Sequence, residues 1–459
     1  MGNDWKEVTL SDLGEVARGR SRHRPRYAEH LYGGDYPFIQ TGDVKASGGR
    51  ILSHTQTYSE AGLAQSRLWP AKTMCITIAA NIAETGILQY PACFPDSVIG
   101  FIADEQKADV YFIEYLFRQL RKDIQRQATG SVQDNINLQT LERLRFKVPP
   151  VEDQAKIASF LNEIENKITL NRQINHTLEQ MAQTLFKSWF VDFDPVIDNA
   201  LDSGSPIPDE LQHRAEARKA VRESEGFKPL PDDVRQLFPD AFEESELGWV
   251  PKGWEAKPIS SLINLIGGGT PKTSEESYWG GEIPWFSVVD APNDSNVFVL
   301  DTEKKVTEVG VANSSTKVLR IGTTIISARG TVGKCALVAT PMAMNQSCYG
   351  VVGAEGIHDY FVYYLLRQSV KQLQQRSHGS VFSTITRDTF NSLKLATGDA
   401  SMTQLFGNTV SPWFEKILAN NQQQSSLERL RDTLLPKLIS GELRLDDVEA
   451  AVEQETVSA

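Results

Sequence analysis

Cysteine is scarce in this chain: four residues, Cys75, Cys93, Cys335 and Cys348, scattered and without a C-x-x-C pair. That spacing excludes a disulfide framework and a zinc ribbon, and reads as reduced thiols in a cytoplasmic protein. Histidine is nearly as sparse, seven residues with no H-x-x-x-H pair and no convincing triad, so neither a helical metal site nor a hydrolase is expected. No run of eighteen apolar residues exists and no apolar segment follows Met1, so membrane spanning and export are not expected. Met1-Gly2 has Lys6 where a myristoylation signal wants Ser or Thr. Acid, by contrast, is in excess, with a formal net charge of −12. Its location matters more than its sum. Residues 191–250 carry 15 acidic and 6 basic side chains, residues 441–459 carry a net −5, and everything else sums to about +2. The acid sits in a connector and a tail, where it keeps the connector off DNA or simply keeps the protein in solution.

Recognisable catalytic machinery is missing too. A base methyltransferase needs an Asp/Asn-Pro-Pro-Tyr/Phe motif for the flipped base and a Gly-rich turn for its cofactor; Asp194-Pro195-Val196 is the nearest approach to the first and fails. Gly330-Thr331-Val332-Gly333-Lys334-Cys335 resembles a phosphate loop, but Ala328 stands where the first Gly belongs and Cys335 replaces Ser or Thr. Pro239-Asp240 with Glu255-Ala256-Lys257 mimics a nuclease pattern while straddling the acidic connector, and reads as coincidence. The chain is not expected to be an enzyme by itself.

What is present is a long helix. From Pro149-Pro150 to Pro195 there is no other Gly or Pro, and apolar residues recur at seven-residue steps: Ile157, Ile164, Asn171, Leu178, Leu185, with Leu161, Ile168, Asn175, Ala182, Trp189 four residues on. This is an a/d seam over about four heptads, about 58 Å of helix at ~1.5 Å per residue. Adding 249 to each number gives Phe406, Trp413, Asn420, Leu427, Leu434 and Val410, Ile417, Gln424, Arg431, Leu438. The polar layer Asn171–Asn175 reappears as Asn420–Gln424, either a buried layer that fixes register and partner or a solvated break in an ordinary seam. Two such helices, each following a globular segment, predict a pseudo-symmetric molecule with an antiparallel coiled coil.

The globular segments repeat as well. Trp5 matches Trp254, Leu13 matches Leu262, Gly33-Gly34 matches Gly280-Gly281, and from Tyr111-Phe112 the offset of 249 holds through Gly130-Ser131-Val132 against Gly379-Ser380-Val381. The predicted fold class is α+β: two similar mixed α/β domains separated by the two helices. The predicted layout is a first domain over 1–148, a helix over 149–190, an acidic connector over 191–250 with one short helix (Asp209–Glu223), a second domain over 251–398, a helix over 399–440 and an acidic tail over 441–459. A two-unit repeat excludes a solenoid. Scaffold positions repeat while loop residues between them differ, as expected of one fold tuned to two ligands.

Binding chemistry remains. Arg18, Arg20, Arg22, His23, Arg24 and Arg26 form a dense cationic loop with Tyr27 and Tyr32 close by; Arg forks pair with phosphate oxygens and with the guanine O6/N7 edge, although a solvated loop has the same composition. The matching loop of the second half is Gly267-Gly268-Gly269-Thr270-Pro271-Lys272-Thr273, whose expected exposed N–H groups, hydroxyls and Lys272 suit phosphate approach. Gly130, Ser131, Gln133 and Asn135 in one half, and Ser377, His378, Ser380, Ser383 and Thr384 in the other, are base-edge readers by type or ordinary capping residues. Arg329 and Lys334 flank a further loop.

Several stretches resemble the specificity (S) subunit of type I restriction–modification systems over nearly the whole length: Pro149-Pro150-Val151-Glu152-Asp153-Gln154, Ser188-Trp189-Phe190-Val191-Asp192-Phe193-Asp194-Pro195, Gly248-Trp249-Val250-Pro251-Lys252-Gly253-Trp254, Gly268-Gly269-Thr270-Pro271 and Leu434-Leu435-Pro436-Lys437-Leu438-Ile439-Ser440-Gly441. Two departures stand out. Gly398-Asp399-Ala400-Ser401 degrades the second pre-helix motif, and Arg20-Ser21-Arg22 replaces the Gly-Thr-Pro loop in the first half. The resemblance implies two target-recognition domains that each read one half of a bipartite, asymmetric site in double-stranded DNA. It also implies two modification subunits docked on the helices, methylating adenine from S-adenosylmethionine, and restriction subunits using ATP and Mg; this chain would bind none of those cofactors. The competing expectation is a coiled-coil scaffold or adaptor without DNA contacts, which leaves two divergent loop sets on one scaffold unexplained.

Overall fold

The computed structural model describes residues 4–22, 25, 27–79, 81–129, 138–292, 296–377 and 384–445, with the side chains of 127–129 and 376–377 set aside. The chain divides into two compact units, residues 1–168 with 426–459, and residues 169–425.

The first unit is built on a five-stranded sheet. Its strands are β1 (Gly14–Arg18), β2 (Arg50–Ile51), β3 (Met74–Thr77), β4 (Thr85–Leu88) and β5 (Val98–Ala103), in the order β1-β5-β3-β4-β2. β3 reads Met-Cys-Ile-Thr and is buried along its whole length, as a central strand covered on both faces must be. All pairings are antiparallel except β2 with β4. One sheet face is covered by helix α1 (Val110–Thr129), whose Ile113 and Phe117 are fully buried with Leu116 nearly so, the stripe its apolar spacing calls for. The other is closed by Trp69 stacked on Phe94 at 4.7 Å. The opening strand Lys6–Val8 pairs with the closing strand Phe146–Val148. Helix α2 (Val151–Phe190) begins directly after Pro150, and its Ile157, Ala158 and Leu161 enter the first core together with Leu438 and Ile439.

The second unit repeats the plan. Its sheet is β6 (Ile263–Gly267), β7 (Phe298–Val299), β8 (Thr324–Ser327), β9 (Cys335–Val338) and β10 (Cys348–Gly353), ordered β6-β10-β8-β9-β7. This is the first order strand for strand, with β7 and β9 as the parallel pair. The connector is more structured than its composition suggests. It holds α3 (Asp194–Ser203), a 3-10 turn Asp209–Leu211 leading into α4 (Gln212–Arg222), and a hairpin of Phe242–Ser245 with Gly248–Pro251. Phe193, Val196, Phe238 and Val250 enter the second core, and Asp198 and Asp202 are paired with Arg218, Arg222 and Arg235. The expectation of a connector with one short helix missed this because net charge does not count paired charges. Helix α5 (Asp359–Ser377) packs on the second sheet as α1 does on the first. Helix α6 (Ala400–Ser440) starts regularly despite the degraded motif, with the Asp399 carboxylate accepting from Ser401 N–H at 2.8 Å.

Candidate nucleic-acid interface

In each unit the edge strand β1 or β6 runs into the loop that carries the candidate contacts. Gly19 crosses so close to the segment before β5 that a Cβ there would lie 2.3 Å from the Pro95 carbonyl; at Gly268 a Cβ would lie 2.0 Å from the Asn345 carbonyl. The two glycines are structurally equivalent and no other residue fits. The next amides are anchored alike, Arg20 N–H to the Phe94 carbonyl at 3.2 Å and Gly269 N–H to the Met344 carbonyl at 2.9 Å. One backbone path therefore presents Arg20-Ser21-Arg22 in the first unit and Gly269-Thr270-Pro271 in the second.

Arg20 and Arg22 are exposed with no acidic partner among the described residues, while Arg18 is tied by its Nε to the Asp96 carbonyl. His23, Arg24 and Arg26 lie outside the described residues. Beside the loop, Tyr27, Tyr32, Phe38, Gln40 and Ser97 line a cavity of about 320 Å³, and Tyr27 is 82% exposed. Tyr27 and Tyr32 were legible as aromatics flanking a basic run. Phe38, Gln40 and Ser97 arrive from two other segments and carry no local signal.

The second loop departs from expectation. Gly269 is buried and its N–H is used by Met344, so that amide is not available to a phosphate. Thr270 and Lys272 are exposed, with the Thr270 hydroxyl donating to the Gln346 side chain. Trp285 Nε1 donates to the Gly269 carbonyl at 3.0 Å and holds the turn from beneath. Arg329 is exposed on the hairpin between β8 and β9, bridged to Thr384, and Lys334 at its far side is half-buried. Gly330 and Gly333 both have positive φ (73° and 90°), and Gly333 N–H donates to the Ser327 carbonyl at 2.9 Å, so this segment is a short self-bonded hairpin loop whose Gly333 amide is already used. Gly130, Ser131, Gln133, Asn135, His378, Ser380 and Ser383 lie outside the described residues, as does the side chain of Ser377.

The polar layer of the helices lies in the second unit. Asn171, Asn175 and Asn420 are each at most 3% exposed. Asn171 Nδ2 donates to Gln423 Oε1 at 2.9 Å, Asn175 Nδ2 to Asn421 Oδ1 at 2.6 Å, and Asn420 Nδ2 to Asn175 Oδ1 at 2.8 Å. Numbers rise on α2 as they fall on α6, so the pairing is antiparallel. Gln423 and Asn421, one residue off the seven-residue series, were missed because periodicity names the stripe and not the rotation of each side chain within it. Among the described residues no cluster of three or more His, Cys, Asp or Glu is placed to hold a metal, and no helix is long and apolar enough to cross a membrane.

The arrangement is that of a binding protein: one sheet scaffold built twice, with different polar and cationic loops at the same exit, joined by helices with a specific buried layer. Comparison with known proteins agrees. The type I restriction modification DNA specificity domain matches twice, over residues 2–180 and 251–429, and the chain belongs to that family. It is 29% identical to the type I restriction enzyme HindI specificity subunit of Haemophilus influenzae, covering 96% of this chain and all of the relative. It is 24% identical to the MjaIX specificity subunit of Methanocaldococcus jannaschii, covering 97% and 95%. The crystal structure of the S subunit from M. genitalium shares the fold at a TM-score of 0.60 and 14% identity, covering 95% of this chain and 97% of that one.

Proposed function

We propose that this chain is the DNA-reading, non-catalytic subunit of a type I restriction–modification complex, in which each unit recognises one part of a bipartite, asymmetric site. The observation that carries the reading is the shared strand order of the two sheets combined with divergent chemistry at the equivalent exits, Arg20-Ser21-Arg22 against Gly269-Thr270-Pro271. Arginine forks and Lys272 hold phosphates, and side chains around the Tyr27–Gln40 cavity face base edges. His23, Arg24, Arg26 and the Gly-Ser loops belong to the same proposed surface by sequence.

Helices α2 and α6 dock two modification subunits and set the distance between half-sites. Adenine methylation from S-adenosylmethionine, and ATP- and Mg-dependent translocation and cleavage, belong to the modification and restriction subunits. Readers on one face of DNA are matched to sites about one turn apart, roughly 34–36 Å. Inserting one heptad into both helices tests this: the unspecified spacer of the methylated motif changes while both half-sites stay the same. A motif with its original spacer would refute the ruler.

A further inference from the structure

Resting on that reading, we propose that Arg118 and Arg367 are positioning residues, each orienting its own recognition domain on the stretch of α2 inside the same unit, and that this narrows the range of spacers the protein accepts. The two arginines are equivalents at the 249-residue offset, on α1 and α5. In the first unit Arg118 Nη1 meets Glu165 Oε1 of α2 at 2.8 Å, and its Nε meets the fully buried Glu114 at 2.6 Å. Its Nη2 donates to the Gly48 carbonyl at 2.7 Å, and a Cβ on Gly49 would lie 1.7 Å from that nitrogen. Arg50 completes the site, meeting Glu114 at 3.2 Å and the α2 residue Asn162 at 2.5 Å.

In the second unit Arg367 pairs with Glu179 of α2, also contacts the Tyr363 hydroxyl at 3.2 Å, and Tyr364 OH donates to the Glu179 carbonyl at 3.3 Å. The repeat alone would not place it there. The equivalent of Glu165 at the 249 offset is Phe414, buried and stacked on Tyr360 at 4.2 Å, so Arg367 has no carboxylate at that position of α6. Both arginines instead grip α2, Arg118 at Glu165 within the first unit and Arg367 at Glu179 within the second.

Apolar packing is non-directional and tolerates sliding, whereas a partly buried guanidinium held by directed hydrogen bonds accepts few geometries. Such pairs add little net stability over an apolar replacement, so a role in orientation is the one open to them. The test uses the full chain co-expressed with its modification subunits, reading adenine methylation on a plasmid pool that carries both half-sites at every spacer length. The double variant Arg367→Met with Glu179→Met leaves no orphaned charge; it keeps both half-sites and the parent's thermal midpoint, yet discrimination between the native spacer and its one-base neighbours falls about tenfold. The milder Arg367→Lys, which keeps the charge and loses the planar guanidinium that meets both Glu179 and the Tyr363 hydroxyl, relaxes the same ratio in part. Parent-like discrimination in both variants overturns the proposal. A parent that methylates no two-part motif at any spacer would instead sink the reading on which it rests.

Discussion

Replacing Asn175 by Ala removes the hub of the buried polar layer. Its Oδ1 accepts from Asn420 and its Nδ2 donates to Asn421, both short contacts in a layer where Asn175 and Asn420 are 3% and 2% exposed. The substitution leaves one donor and one acceptor buried without partners. Each orphan costs about 1–3 kcal/mol, so the second unit should lose about 2–6 kcal/mol, a large share of the ~5–15 kcal/mol that holds a domain folded. Equilibrium urea unfolding followed by tryptophan fluorescence reads the loss, since Trp189, Trp254 and Trp413 all lie in or against the second core. A companion variant, Asn175→Leu with Asn420→Leu and Asn421→Leu, removes every orphan and should recover the stability, or exceed the parent, while giving up the contacts that fix register. A loss under about 0.5 kcal/mol for Asn175→Ala, the scale of an ordinary surface change, would refute the layer's role.

Three further outcomes are expected. Arg20→Ala with Arg22→Ala weakens DNA binding at low salt and reduces the slope of log K against log salt by about 2, near 0.9 per phosphate contact; an unchanged slope in a filter-binding titration reduces the loop to solvated surface. Glu114→Gln leaves Arg50 and Arg118 partly buried beside a neutral amide and should cost the first unit about 3–5 kcal/mol in denaturant unfolding, the range for breaking a buried pair, with a cost below about 1 kcal/mol contradicting the network. His358 is half-buried at the start of α5, where burial lowers its pKa and its Nδ1 accepts from Tyr360 N–H at 3.1 Å. The unfolded chain takes up a proton as pH falls through about 6.5 while the native ring resists. Stability of the second unit therefore drops below that pH, and His358→Asn, which supplies an N-cap acceptor that does not titrate, flattens the profile; an equally steep profile for the variant contradicts the assignment.

Much of the architecture was legible because it rests on period and repetition. The seven-residue series from Ile157 to Trp189 and its echo at 249 mark α2 and α6. The Arg118–Glu165 and Arg50–Asn162 contacts span 47 and 112 residues, and nothing local announces them; they exist because the sheet carries α1 onto α2. The folded connector escapes composition for a related reason. Its acids at 198 and 202 find arginines at 218, 222 and 235, and its Phe193, Val196 and Phe238 pack into a core that composition alone cannot see. At the candidate interface, type and spacing singled out Arg20, Arg22 and Lys272. They could not show that Gly269 spends its amide on Met344, since that follows from a crossing of two loops 75 residues apart.

On the proposed reading, this chain chooses where adenine is methylated. Single-molecule detection of modified adenine across the host genome, with the gene intact and deleted, tests it most directly. One two-part motif, two specified blocks separated by a fixed number of unspecified bases, is expected to lose its methylation on deletion and regain it on complementation. A genome whose two-part motifs keep their methylation after deletion, while the neighbouring methyltransferase remains active, would contradict it.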